Sequence, residues 1–177
     1  MDIEQLKYPI GKYKSPDVVT ESQIRTWISE IEAAPAMLRK TVERLSDAQL
    51  STPYRDGGWT VRQTVHHIPD SHLNAYCRFK LTLTEERPTI KPYFEDRWAE
   101  LEDGRNAPIE ASLRLLESVH IRWLILLRAM KPADFKRTYF HPEYKKEFTL
   151  EYVLGLYAWH GKHHVAQIQN LKERMKW

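Results

Sequence analysis

Between Leu150 and the C-terminus, Leu150, Val153, Leu154, Tyr157, His160, His164, Ile168 and Leu171 recur at helical spacing, and the stripe is apolar except at the two histidines. A helix carrying such a stripe must bury it against other elements. Both imidazoles would then point into an interior, where an uncharged imidazole needs a hydrogen-bond partner or a metal. Residues i and i+4 project from one helix face about 6 Å apart, so His160 and His164 can grip one ion between them. Taken alone, an HxxxH pair is weak evidence for a metal; the apolar setting strengthens it.

Three earlier segments have the same helical period. Thr20-Glu21-Ser22-Gln23 reads as a capping box, opening a helix that carries Trp27, Ile31, Leu38 and Val42 to about Leu45 and that Pro35 should bend. Thr60-Val61-Arg62-Gln63 reads as a second box, and the helix behind it runs to about Thr84 with Pro69 inside. Pro108 suits the first turn of a third helix, which carries Leu113, Leu116, Val119, Trp123 and Leu127 to about Met130. The fourth begins near Thr149. Residues 85 to 107 are too long and irregular for an ordinary connection and read as a lid, a crossover or both. Four long helices without a convincing alternating strand predict an all-α four-helix bundle, with 1–177 as a single domain.

A chain of 177 residues with 42% hydrophobic content can fill such a core. The net charge of +3 is spread among acids and bases with no block of like charge, which gives no footprint for nucleic acid. One cysteine, Cys77, allows no internal disulfide and fits a reducing compartment, so a cytoplasmic protein is expected; the cysteine itself reads as a small buried residue. The N-terminus lacks the pattern of a signal peptide, and no stretch reaches the roughly 18 apolar residues of a membrane span.

A third imidazole is offered upstream by His67, in Trp59-Thr60-Val61-Arg62-Gln63-Thr64-Val65-His66-His67. Periodicity leaves two readings of this helix open. In one, His67, Asp70 or Ser71, Asn74 and Arg78 form a partly polar inner face; in the other that face meets solvent, and Val65, His72, Tyr76 and Phe79 point inward. The remaining histidines are weaker candidates. His66 and His163 lie about 100° from the preferred positions, with His163 expected to face solvent. His72 is off the His67 face, His120 reads as a core residue or an outer partner, and His141 lies in a loop that could close over a site. There is no GxSxG elbow, no phosphate-binding glycine loop and no HExxH, since Gly161 stands where a zincin carries its glutamate. The tryptophans read as core anchors, except that Trp98 could line a substrate mouth.

The chain resembles the DinB superfamily, in particular its YfiT-like branch of metal-dependent hydrolases. The resemblance is carried in order by Tyr8-Pro9-Ile10-Gly11, Gly58-Trp59-Thr60-Val61-Arg62-Gln63, His66-His67, Asp70-Ser71-His72, Arg78-Phe79-Lys80-Leu81, Lys91-Pro92-Tyr93, His141-Pro142-Glu143 and Tyr157-Ala158-Trp159-His160-Gly161-Lys162-His163-His164. It implies up-down-down-up connectivity, a homodimer and one divalent metal on His67, His160 and His164, with His67 rather than His66 as the third ligand. Pro69 departs from the branch, whose members more often place a small helix former there.

Three histidines leave one tetrahedral position open, as catalytic sites do. Zn²⁺ is the expected ion, with Ni²⁺ as the alternative. Water at the open position gives hydrolysis of a small-molecule substrate. A thiol there gives S-transfer, and enzymes similar to this branch include transferases that use bacillithiol, a low-molecular-weight thiol. A metal-binding stress protein without turnover is the non-enzymatic alternative. Asp70, Glu95 and Glu143 are the carboxylates that could carry protons or accept imidazole N–H bonds. The sequence singles out none of them as a catalytic base, and it expects neither nucleic acid nor membrane as a partner.

Overall fold

The computed structural model describes residues 2–177. Four long helices dominate: α2 (Glu21–Val42), α4 (Val61–Thr84), α7 (Ile109–Ala129) and α8 (Leu150–Met175). Shorter ones, α1 (Ile3–Lys7), α3 (Asp47–Leu50), α5 (Glu95–Ala99) and α6 (Glu102–Asn106), lie in the connections. Helix starts follow the caps. Thr60 and Gln63 form a reciprocal capping box, while Thr20 accepts the Gln23 N–H without the return bond. Pro108 is the N-cap of α7 rather than its first turn, and Thr149 caps α8. Both α2 and α4 continue through their prolines, Pro35 and Pro69. The first long helix ends at Val42, three residues before Leu45.

Contacts along the helices set their directions. On α4 and α7, His66 meets Ser112, His72 meets His120 and Phe79 meets Trp123, an ascending order on both helices that makes the pair parallel. On α2 and α8, Glu30 meets Lys162 and Thr41 meets Lys172, so these also run parallel. Between α2 and α7 the order inverts: Arg39 bonds Glu110, and Glu32 bonds Arg128. The bundle is therefore up-down-down-up, as expected. A parallel neighbour requires the chain to travel back along the bundle, and a helix of 24 residues is about 36 Å long. Residues 85 to 108 make that return, carrying α5 and α6 on the way.

One expectation fails. Residues Thr138–His141 (β1) and Lys146–Thr149 (β2) pair as an antiparallel hairpin, with Tyr139 opposite Phe148. The crossover joins its edge, where Ile90 N–H donates to the Phe140 carbonyl and Phe140 N–H to that of Pro88. Each strand has only four residues, too few for a period of two to stand out from loop sequence.

The apolar interior falls into two clusters. One gathers Trp27, Ile31, Phe79, Trp123, Leu127 and Leu154; the other gathers Leu38, Val42, Val65, Leu116, Val165 and Ile168. Between them, at one level on α4, α7 and α8, lie His72, His120 and His160. The core of this bundle is crossed by a layer of imidazoles.

Candidate metal centre

His67 on α4 and His160 and His164 on α8 converge. The Nε2 atoms of His67 and His164 each lie 3.2 Å from His160 Nε2, and one nitrogen from each ring lies within 4.8 Å of the others. Two nitrogens held about 2.0–2.1 Å from a tetrahedral ion sit about 3.3 Å apart, so this spacing fits a small metal. Burial, reinforced by the neighbouring imidazoles, holds His67 and His160 well below the ordinary histidine pKa. Burial lowers His164 to about 4 against an opposing hydrogen bond that it donates to Gln167. Neutral rings present lone pairs, which is what a metal requires.

Which lone pair faces the centre is set by the other nitrogen. His164 Nδ1 lies 2.8 Å from Gln167 Oε1, an amide whose nitrogen donates to the Lys7 carbonyl and to His163 Nε2. The amide oxygen can only accept, so His164 carries its proton on Nδ1 and leaves Nε2 free. His160 is set by a longer chain. Its Nδ1 lies 3.2 Å from His72 Nε2, His72 Nδ1 lies 2.8 Å from His120 Nε2, and His120 Nδ1 lies 2.7 Å from the Ile31 carbonyl. The carbonyl accepts, so every ring in the series donates from Nδ1. The last consequence is a free lone pair on His160 Nε2.

A cavity of about 350 Å³ opens over the three rings. Trp59 forms one wall, with its ring centroid 4.6 Å from that of His67. Tyr93 from the crossover, Tyr139, His141 and Phe148 from the hairpin, and Tyr157 from α8 form others. The crossover is thus also a partial cover. Ser71 Oγ is 3.4 Å from the Tyr157 hydroxyl, so the polar face His67, Ser71, Arg78 does turn inward. Val65, His72, Tyr76 and Phe79 are buried as well: α4 is enclosed on most of its circumference, and both readings of it hold in part.

Glu95 and Glu143 reach the cavity from exposed positions, whereas Asp70 does not line it. Trp98 is not a wall of the cavity and packs on Tyr93 instead, with centroids 4.6 Å apart. Two further expectations, for His163 and Cys77, are corrected, while His66 stays outside the cluster as expected. His163 is buried beside Gln167, stacked on Trp159, because the α1 segment covers that side of α8. His66 is buried between Ser112 and the Ala107 carbonyl, a structural role filled from α7 and the crossover. Cys77 is exposed, on a face of α4 where Leu73, Lys80, Leu81 and Thr84 are exposed as well. Gly161 faces Ala34 of α2, and a Cβ there would sit 3.3 Å from the alanine methyl, so this position serves close packing and points away from the cavity.

The bundle is matched by the comparisons. A model of the DinB superfamily matches residues 30–168. The chain belongs to the DinB superfamily. Among its DinB relatives, the protein of Bacillus subtilis (strain 168) named "Putative metal-dependent hydrolase YfiT" is 52% identical over 172 residues, covering 97% of each chain. A protein of Bacillus mycoides (strain KBAB4) with the same functional name is 51% identical over 175 residues, 99% of this chain and all of that one. The solved structure of Bacillus subtilis YfiT, described as an unusual four-helix bundle topology, superposes with a TM-score of 0.96 over 98% of this chain and 99% of that one, at 52% identity. TT2238, another four-helix bundle, has a TM-score of 0.58 at 20% identity over 82% of this chain and 98% of that one, and shares the fold alone. Among the described residues of this DinB chain, no helix is long and apolar enough to cross a membrane.

Proposed function

We propose that this protein is a metal-dependent hydrolase that holds one divalent ion on the Nε2 atoms of His67, His160 and His164. The observation that carries the reading is the convergence of three neutral imidazoles, two of them locked in the tautomer that offers Nε2, at the floor of an open cavity. Zinc suits an all-imidazole set with one free position, and nickel suits the same donors. When bound, the ion supplies a Lewis-acidic +2 charge that acidifies water at the free position. The names of the relatives support hydrolysis over the alternatives.

The chain's own groups supply the remainder. Trp59 and the tyrosines shield the site from bulk water on several sides, which strengthens electrostatic interactions within it. The Tyr139 hydroxyl, whose pKa burial raises further to about 12, stays protonated at neutral pH and can donate a hydrogen bond. Glu143 and Glu95, at the mouth, are placed to exchange protons with solvent. A panel of esters and amides assayed with metal-loaded, chelator-stripped and zinc-restored protein tests this reading. Hydrolysis that disappears on stripping and returns with zinc is expected. Hydrolysis unaffected by stripping, or turnover confined to thiol conjugation, would overturn it.

A further inference from the structure

Arg78 lies eleven residues after His67 on α4, which places it three turns further along and only about 20° round the helix. One cavity touches both, over about 16 Å of helix axis. The arginine is half-buried, yet among the described residues no carboxylate oxygen comes within 4.0 Å of it; Arg55 and Arg137, half-buried and likewise without a carboxylate, donate to backbone carbonyls instead. Its neighbours in the cavity include the hydroxyl of Tyr139 and the ring of His141. The two acids that share the cavity, Glu95 and Glu143, are exposed at its mouth.

A guanidinium has five N–H donors and no acceptor, and taking it out of water without an anion is costly. A tyrosine hydroxyl offers one weak acceptor and no charge. Such an arginine at the far end of a ligand cavity is a receptor for a planar anion, which it can hold by two parallel N–H···O bonds. We infer that the cavity takes a substrate with a carboxylate at one end, held by Arg78 and the Tyr139 hydroxyl, and its reacting bond at the three histidines. The aromatic walls between the two ends fit an apolar or ring-bearing middle. The placement of the reacting end rests on the metal reading above; the carboxylate subsite does not.

Calorimetric titration with 4-phenylbutyrate and with the neutral 4-phenylbutanol, two probes of matched length, tests the subsite in wild type, Arg78→Met and Arg78→Lys. Wild type should bind the acid about tenfold or more tightly than the alcohol, the scale of one charge-assisted bidentate contact. Arg78→Met should lose that preference while binding the alcohol as wild type does, which also reports an intact cavity, and Arg78→Lys should retain part of it. Equal affinities in wild type, no binding of the acid up to millimolar concentration, or a preference that survives in Arg78→Met would each overturn the proposal, the last because the carboxylate would then sit elsewhere, including on the metal. Metal content of the same preparations is read separately. An Arg78-dependent preference in protein that holds no metal upholds the subsite and sinks the metal reading; metal bound without a preference does the reverse.

Discussion

His72 Nε2 accepts a hydrogen bond from His160 Nδ1 at 3.2 Å, tying a ring in the proposed metal site to a buried layer that ends on the Ile31 carbonyl. Neither His72 nor His120 belongs to the three-histidine cluster, yet together they fix which nitrogen of His160 faces it. Partners of this kind typically contribute 10–100-fold in metal affinity. His72→Phe should therefore weaken zinc binding by about that factor with all three proposed ligands present. Competition against a chromogenic chelator measures this, and an unchanged affinity would remove the tautomer argument.

Acidity gives a second expectation. Because burial depresses the three rings, with His164 at about 4, the folded protein holds them neutral where an exposed histidine would be protonated. At pH 5.5 the rings should bind zinc with little proton release, whereas ordinary histidines would release nearly three protons per ion, since about nine-tenths of each would be charged there. Calorimetry in two buffers of different ionisation enthalpy counts the protons. The same shifts act on stability. Below the unfolded pKa of about 6.5 the unfolded chain binds more protons than the folded one, so the metal-free protein should lose stability as pH falls from 6.5 toward 4.

Asp70 shifts the other way. Burial, with help from Asp103, raises its pKa to about 6. Between about 4 and 6 the folded state binds the extra proton, so this residue's contribution is most favourable at low pH and is lost as pH rises through 6. Asp70→Asn should raise stability above pH 6, by about 1 kcal/mol once solvent screening of this partly exposed group is allowed for, and do little below pH 4. Urea melts at the two pH values give the comparison.

Gly155 is packed too closely for a side chain. A Cβ there would lie 2.7 Å from Trp27 Cζ2 and would collide with the Tyr13 hydroxyl. Gly155→Ala should destabilise by about 1–3 kcal/mol despite alanine's better helix propensity, because overpacking outweighs propensity. Thermal melts would read this as a lower Tm, and an unchanged or higher Tm would contradict the packing.

The proposed ligand positions and the four helices could be read from the sequence because one period governs both: the apolar stripe of α8 that demands burial also aims His160 and His164. The imidazole layer could not. His67 and His72 are five residues apart, about 140° round α4, and spacing alone separates them. Both touch His160 because its ring offers two nitrogens on opposite sides, a relation that exists only once α4 and α8 are packed. His163 was misplaced for a similar reason: its cover comes from the segment around Lys7, far away in sequence. Arg78 is legible as part of a polar stripe, but that no carboxylate among the described residues pairs with it is a property of the folded cavity.

Metal content by elemental analysis, on protein purified without chelator, tests the centre most directly. Wild type should hold about one divalent ion per chain, as a three-ligand site does, and a folded His160→Ala, His164→Ala variant should hold almost none. Equal metal in the two proteins would contradict the three-histidine site.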